Sequence, residues 1–134
     1  MSAIDKIKDK LKKYPKLTYQ IDGNKISIEP ISVSGFTVWL IANNSDFIVG
    51  FDGWHEEFEN EDEALNCCSF GLSDKCRLKV VKYGSKPYSW SVESWDGNEW
   101  IEDSKVGLIF IPFWKKKLVE YHSNSIITSR EPGI

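Results

Sequence analysis

The chain has 134 residues, with 17 basic and 20 acidic side chains and a formal net charge of −3. That length fits one domain, residues 1–134, and is too short for two ordinary ones, while 41% hydrophobic and 28% charged residues exclude disorder by composition. A basic excess is missing, no apolar run approaches the ~18 residues of a membrane span, and the start lacks a signal-peptide stretch, so neither nucleic acid nor membrane is expected as a partner.

The first element predicted is an amphipathic helix within residues 1–15. Ile4, Ile7 and Leu11 recur on one stripe, Ser2 and Asp5 form a capping box, and Pro15 ends the pattern. Tyr19–Ile21 and Ile26–Ile28 flank Asp22-Gly23-Asn24 and predict a hairpin that pairs Ile21 with Ile26 and Tyr19 with Ile28. Phe36–Ala42 is apolar at nearly every position and reads as a central strand. Asn43–Asp46 reads as a turn and Phe47–Phe51 as the antiparallel return.

Beyond Gly53 the period changes to that of a helix. Asn60 with Glu63 marks its start, Ala64, Leu65, Cys68 and Leu72 form its stripe, and Gly71 suits its C-cap. Cys76–Tyr83 and Tyr88–Trp95 alternate as strands. Asp96-Gly97-Asn98 is a turn into Trp100-Ile101, whose register stays open because pairing Trp95 with Trp100 also opposes Asp96 and Glu99. Val106–Phe113 reads as the most apolar strand, Lys117–Tyr121 as an edge strand, and residues 124–134 as a loosely ordered tail. The class expected is α+β: a mostly antiparallel sheet of about eight to nine strands, with an N-terminal and a central helix packed on it.

Charge is segregated. Residues 1–16 hold six Lys and two Asp, while the other 118 residues hold 11 basic and 18 acidic side chains. Seven acids and no base fall between Asp52 and Glu63, a feature that suits a basic partner and is explained in part by helix initiation. Cys67, Cys68 and Cys76 are odd in number, with no C-x-x-C spacing, so they read as small core hydrophobes in a reducing cytoplasm. No metal or cofactor is expected.

Three groups of residues are candidates for function. Gly53–Phe58 joins a strand to a helix and offers Asp52, Trp54, His55, Glu56, Glu57, Phe58 and Glu59 as a partner surface. A histidine beside carboxylates suits a general base, but no hydrolase, phosphate-loop or metalloprotease motif accompanies it, and no catalytic residue is assigned. Trp90, Trp95 and Trp100 read mostly as sheet packing. Trp114, Lys115 and Lys116 form a secondary candidate, a set of lysines beside an aromatic that suits phosphates or protects a strand edge.

The motifs Gly53-Trp54-His55-Glu56-Glu57-Phe58, Glu63-Ala64-Leu65-Asn66-Cys67 and Pro112-Phe113-Trp114 resemble those of a family of small uncharacterised bacterial cytoplasmic proteins. The resemblance spans about residues 36–121 and implies one intact domain of bacterial origin; it carries no activity. The function expected is a non-catalytic protein-binding module with an acidic surface for a basic partner, in concrete form a toxin-neutralising immunity protein. The alternatives are a small-ligand domain with a Trp-lined cleft and an enzyme using His55. Oligomeric state is left open.

Overall fold

A computed structural model describes residues 2–108 and 111–127. Two helices and nine strands are present among them, in the order α1 (Ala3–Leu11), β1 (Thr18–Asp22), β2 (Lys25–Glu29), β3 (Val38–Ala42), β4 (Phe47–Phe51), β5 (Trp54–Phe58), α2 (Glu61–Leu72), β6 (Cys76–Tyr83), β7 (Lys86–Trp95), β8 (Trp100–Gly107) and β9 (Lys117–His122). The class is α+β. The strands divide into a five-stranded meander, β1-β2-β3-β4-β5, and a four-stranded sheet ordered β8-β7-β6-β9, and every pairing is antiparallel.

Local chemistry explains the elements that match expectation. Ser2 and Asp5 close the capping box of α1, and the carbonyl side chain of Asn60 accepts from Glu63 N–H at the start of α2. Glu61, Asp62 and Glu63 occupy the first turn of α2, where the partial positive charge of the helix end favours carboxylates. Glu61 also receives Lys6 Nζ at 2.6 Å, tying the basic first helix to the acidic second one. The β1–β2 hairpin has the expected register, Ile21 opposite Ile26 and Tyr19 opposite Ile28. Trp95 does oppose Trp100, with ring centroids 5.4 Å apart. The like charges next to that pair cause no conflict, because the Asp96 carboxylate turns into the loop and accepts the N–H groups of Asn98 and Glu99. Those two bonds, Glu99's first, hold Asp96 below the ordinary carboxylate range.

Several expectations need correction. Trp54–Phe58 is no loop; it is β5, hydrogen-bonded along β4. Gly71 lies inside α2, which runs on to Leu72 with Ser73 as its cap. A Cβ on Gly71 would sit 2.3 Å from the Phe51 ring, so glycine is there to let the helix approach β4. Of the expected strand Val106–Phe113, only Val106 and Gly107 are in strand, as the end of β8; Leu108 and residues 111–113 are not, and residues 109–110 lie outside the described residues. Residues 124–127 are docked. Asn124 Oδ1 accepts Phe36 N–H, its Nδ2 donates to Gly71 C=O, both at 3.0 Å, and Ile127 is buried beside Ser73. The rest of the expected tail, 128–134, lies outside the described residues.

The core forms where α2 lies on β3, β4 and β5 and reaches β6. Ile7 and Leu11 come from α1, Cys68 and Leu72 from α2, Val38, Leu40, Val49 and Phe51 from the first sheet, and Leu78, Val80 and Val92 from the second. Each such side chain contributes roughly 1.5–3 kcal/mol through removal from water. The two sheets meet at β5, which touches both β7 and β8. There the Trp90 ring lies against Gly53, where a Cβ would come within 2.3 Å of it. Among the described residues no helix is long and apolar enough to cross a membrane.

Candidate functional site

The strand conformation of β5 sorts the acidic segment onto two faces, because successive side chains point to opposite sides. Trp54 opposes Phe51, Glu56 opposes Val49 and Phe58 opposes Phe47, so these three point to the core side of the sheet. His55 and Glu57 point away, to the face that carries Trp39 and Ile48. The expected surface is therefore divided: Trp54, Glu56 and Phe58 belong together, and His55 and Glu57 do not join them.

On the core side, β5, α2, β7 and β8 enclose an open cleft of about 360 Å³. Trp54, Phe58, Phe70 and Val92 supply its apolar lining, and Glu56, Glu63 and Asp103 its charge. Among the described residues no lysine or arginine lines it. Trp54 is 3% exposed, stacks on Phe51 at 4.7 Å between centroids, and donates its indole N–H to Ser104 Oγ at 3.1 Å. That bond pins the β5 tryptophan to β8, the strand that also delivers Asp103. Asp103 in turn accepts the Ser94 hydroxyl at 3.1 Å. Among the described residues neither Glu56 nor Glu63 is engaged in an ion pair.

Cys67 also lines the cleft. Burial, and then the charge of Glu56, pushes its thiol up to about 12, so it stays protonated and a poor nucleophile near neutral pH. Cys68 and Cys76 are buried and also raised, chiefly by desolvation. All three are free thiols. Among the described residues no group of three or more His, Cys, Asp or Glu side chains is placed to hold a metal ion.

The remaining expected residues have other surroundings. Asp52 sits in the β4–β5 turn with φ of +50°, and its carboxylate accepts Thr37 N–H at 3.0 Å. Desolvation raises this carboxyl and the Thr37 bond opposes that rise; the side chain ties the turn to the residue that precedes β3. The His55 ring lies 6.5 Å from Trp39 and has no hydrogen bond to a carboxylate among the described residues. Glu57 and Glu59 line a neighbouring hollow of about 750 Å³ with Ser45, Asp46 and Phe58. Phe58 lines both hollows, so the acidic zone runs continuously around the end of β5. A third hollow, of about 350 Å³ between Trp95, Trp100, Asp74 and Lys75, balances one acid against one base. Trp114, Lys115 and Lys116 lie apart, on the β8–β9 connection against the β6–β7 turn, where Gly84 N–H donates to Lys116 C=O.

Sequence reasoning missed Asp103, Ser104, Phe70 and Val92. Asp103 had no strand to stand on once β8 was read as two residues, and the one available signal was that a buried tryptophan needs an acceptor for its N–H. Comparison with models of protein families, with curated proteins and with solved structures returns no match for this chain.

Proposed function

We propose that the chain is a non-catalytic protein-binding module that takes a basic partner at the cleft between β5, α2 and β8. One observation carries this reading: Glu56, Glu63 and Asp103, from three separate elements, converge on an apolar cleft that no cation among the described residues lines. Such a cleft suits an arginine or lysine side chain, whose alkyl stem lies on Trp54 and Phe58 while its charge meets the carboxylates. The continuous acid at Asp46, Glu57 and Glu59 extends the attraction to a basic surface wider than one side chain.

A toxin-neutralising immunity protein of the bacterial cytoplasm is the concrete form proposed. Carboxylates around an aromatic anchor are suited to block a basic nuclease cleft, and three free thiols agree with a reducing compartment. The cleft volume also lies in the range of small-ligand sites, which supports a cationic small molecule as the second reading.

Affinity capture from the host separates these readings. The protein is expected to retain a basic protein that the variant Glu56→Lys/Glu63→Lys/Asp103→Lys binds roughly a hundredfold more weakly, since like charges then face each other. A captured nuclease whose activity the protein blocks would establish the toxin-neutralising form. Identical capture by both baits would remove the proposal.

A further inference from the structure

The second sheet is electrically polarised along its strands. The chain has no Asp or Glu in residues 75–92 or in 104–119. The β6–β7 turn and the β8–β9 connection draw on those stretches, and they lie together, with Gly84 N–H bonded to Lys116 C=O and the Gly84 backbone facing the Lys115 side chain. Lys82, Lys86, Lys115, Lys116 and Lys117 gather at this end, where Glu120 meets Lys82 and His122, each at 3.1 Å. Lys86 Nζ also lies over the Tyr88 ring, 5.5 Å from its centroid. The opposite end is the β7–β8 turn, with Asp96 and Glu99.

The basic end also carries the most exposed aromatic side chains of the described residues. Phe113 is 83% and Trp114 63% exposed, and Leu108 and Ile111 beside them are each nearly half exposed. Large apolar groups are here turned to water next to a run of lysines, apart from the core.

We propose that this end docks on an anionic lipid bilayer. Phe113 and Trp114 enter the boundary between headgroups and acyl chains, and Lys115, Lys116 and Lys117 face the lipid phosphates. Two features favour a bilayer over nucleic acid. The Phe113 and Trp114 rings stand at 80° to each other, so they offer no shared platform for successive bases. Leu108 and Ile111 have a place among acyl chains and none against a phosphate backbone. For either anionic partner, the acids of the Asp96–Glu99 turn stand at the opposite end of the strands, and salt screens such distant charges. The chain would lie on the membrane rather than span it, consistent with the lack of a spanning helix among the described residues. This departs from the sequence-based expectation of no membrane partner.

Co-sedimentation of the full chain with vesicles tests the proposal. Vesicles of phosphatidylcholine containing about one third phosphatidylglycerol are expected to bind it at least tenfold more strongly than phosphatidylcholine alone, and raising salt from about 0.1 to about 1 M should release it. Lys115→Glu/Lys116→Glu should weaken binding roughly tenfold or more, and Phe113→Ser/Trp114→Ser should abolish it. Both pairs are exposed, and unchanged thermal melts show that the fold is intact. Glu56→Gln/Glu63→Gln should bind vesicles like the wild type, which keeps this result separate from the cleft. Equal partition to both vesicles, unchanged binding by either variant pair, or tighter binding to a single-stranded oligonucleotide that displaces the vesicles would overturn it.

Discussion

Gly71→Ala is expected to destabilise the protein by about 2–3 kcal/mol, although alanine is the better helix former by about 1 kcal/mol. The two effects oppose each other at one atom. The added Cβ would lie 2.3 Å from Phe51 Cε1 and 2.6 Å from Cζ, well inside contact distance. Phe51 cannot withdraw freely, since it is fully buried between Phe36, at 5.3 Å, and Trp54, at 4.7 Å between centroids. Steric cost therefore exceeds the propensity gain. Chemical denaturation of both proteins measures the difference, and Phe51→Leu in the Gly71→Ala background should recover part of it. Equal or higher stability of Gly71→Ala would show that α2 can move off β4, and that the wall of the cleft is looser than described.

The thiols set the second large effect. Cys67 is pushed up to about 12 from the ordinary 9.0, and Cys68 and Cys76 are raised as well. Above pH 9 the unfolded chain releases these protons and the native chain keeps them, so the native state binds more protons and stability falls as pH rises. One thiol contributes a slope of about 1.4 kcal/mol per pH unit, and three contribute about 4. Lys6, raised by its bond to Glu61, adds stability that is lost as pH rises from the ordinary lysine range through its own higher one. Denaturant melts between pH 8 and 10 should show the decline, and Cys67→Ala/Cys68→Ala should remove about two thirds of the slope. A flat profile would mean that the thiols are reached by water.

Legibility in the sequence followed the range of the interactions. The β1–β2 register, both helix starts and the bounds of β4 and β6 rest on turns, caps and alternation within a few residues, and these were readable. Gly71 misled because a helix-ending glycine and a close-packing glycine look alike until Phe51 is placed. The Val106–Phe113 run misled because hydrophobicity there serves an exposed connection, where Phe113 and Trp114 face water. The acidic segment was read as one surface because its strand character was hidden: Trp54, His55, Glu56, Glu57 and Phe58 do not alternate in polarity. Once paired with β4, they divide between two faces, and the useful carboxylates become those that β8 and α2 bring to Glu56. Asp103 is remote in sequence, so no local pattern pointed to it.

The acidic zone and the basic end are built from different residues of the chain. The formal charge of −3 conceals this arrangement, since the lysines of α1 and of the second sheet nearly cancel acids located elsewhere.

Titration of the isotope-labelled protein with an arginine-rich peptide, followed by NMR, addresses the cleft directly. The largest shifts are expected at the Trp54 indole N–H and at the amides of Glu56, Glu63 and Asp103, with their loss in Glu56→Gln/Glu63→Gln/Asp103→Asn. Shifts scattered over the acidic surface with Trp54 unmoved, or the same shifts in the neutralised variant, would contradict it.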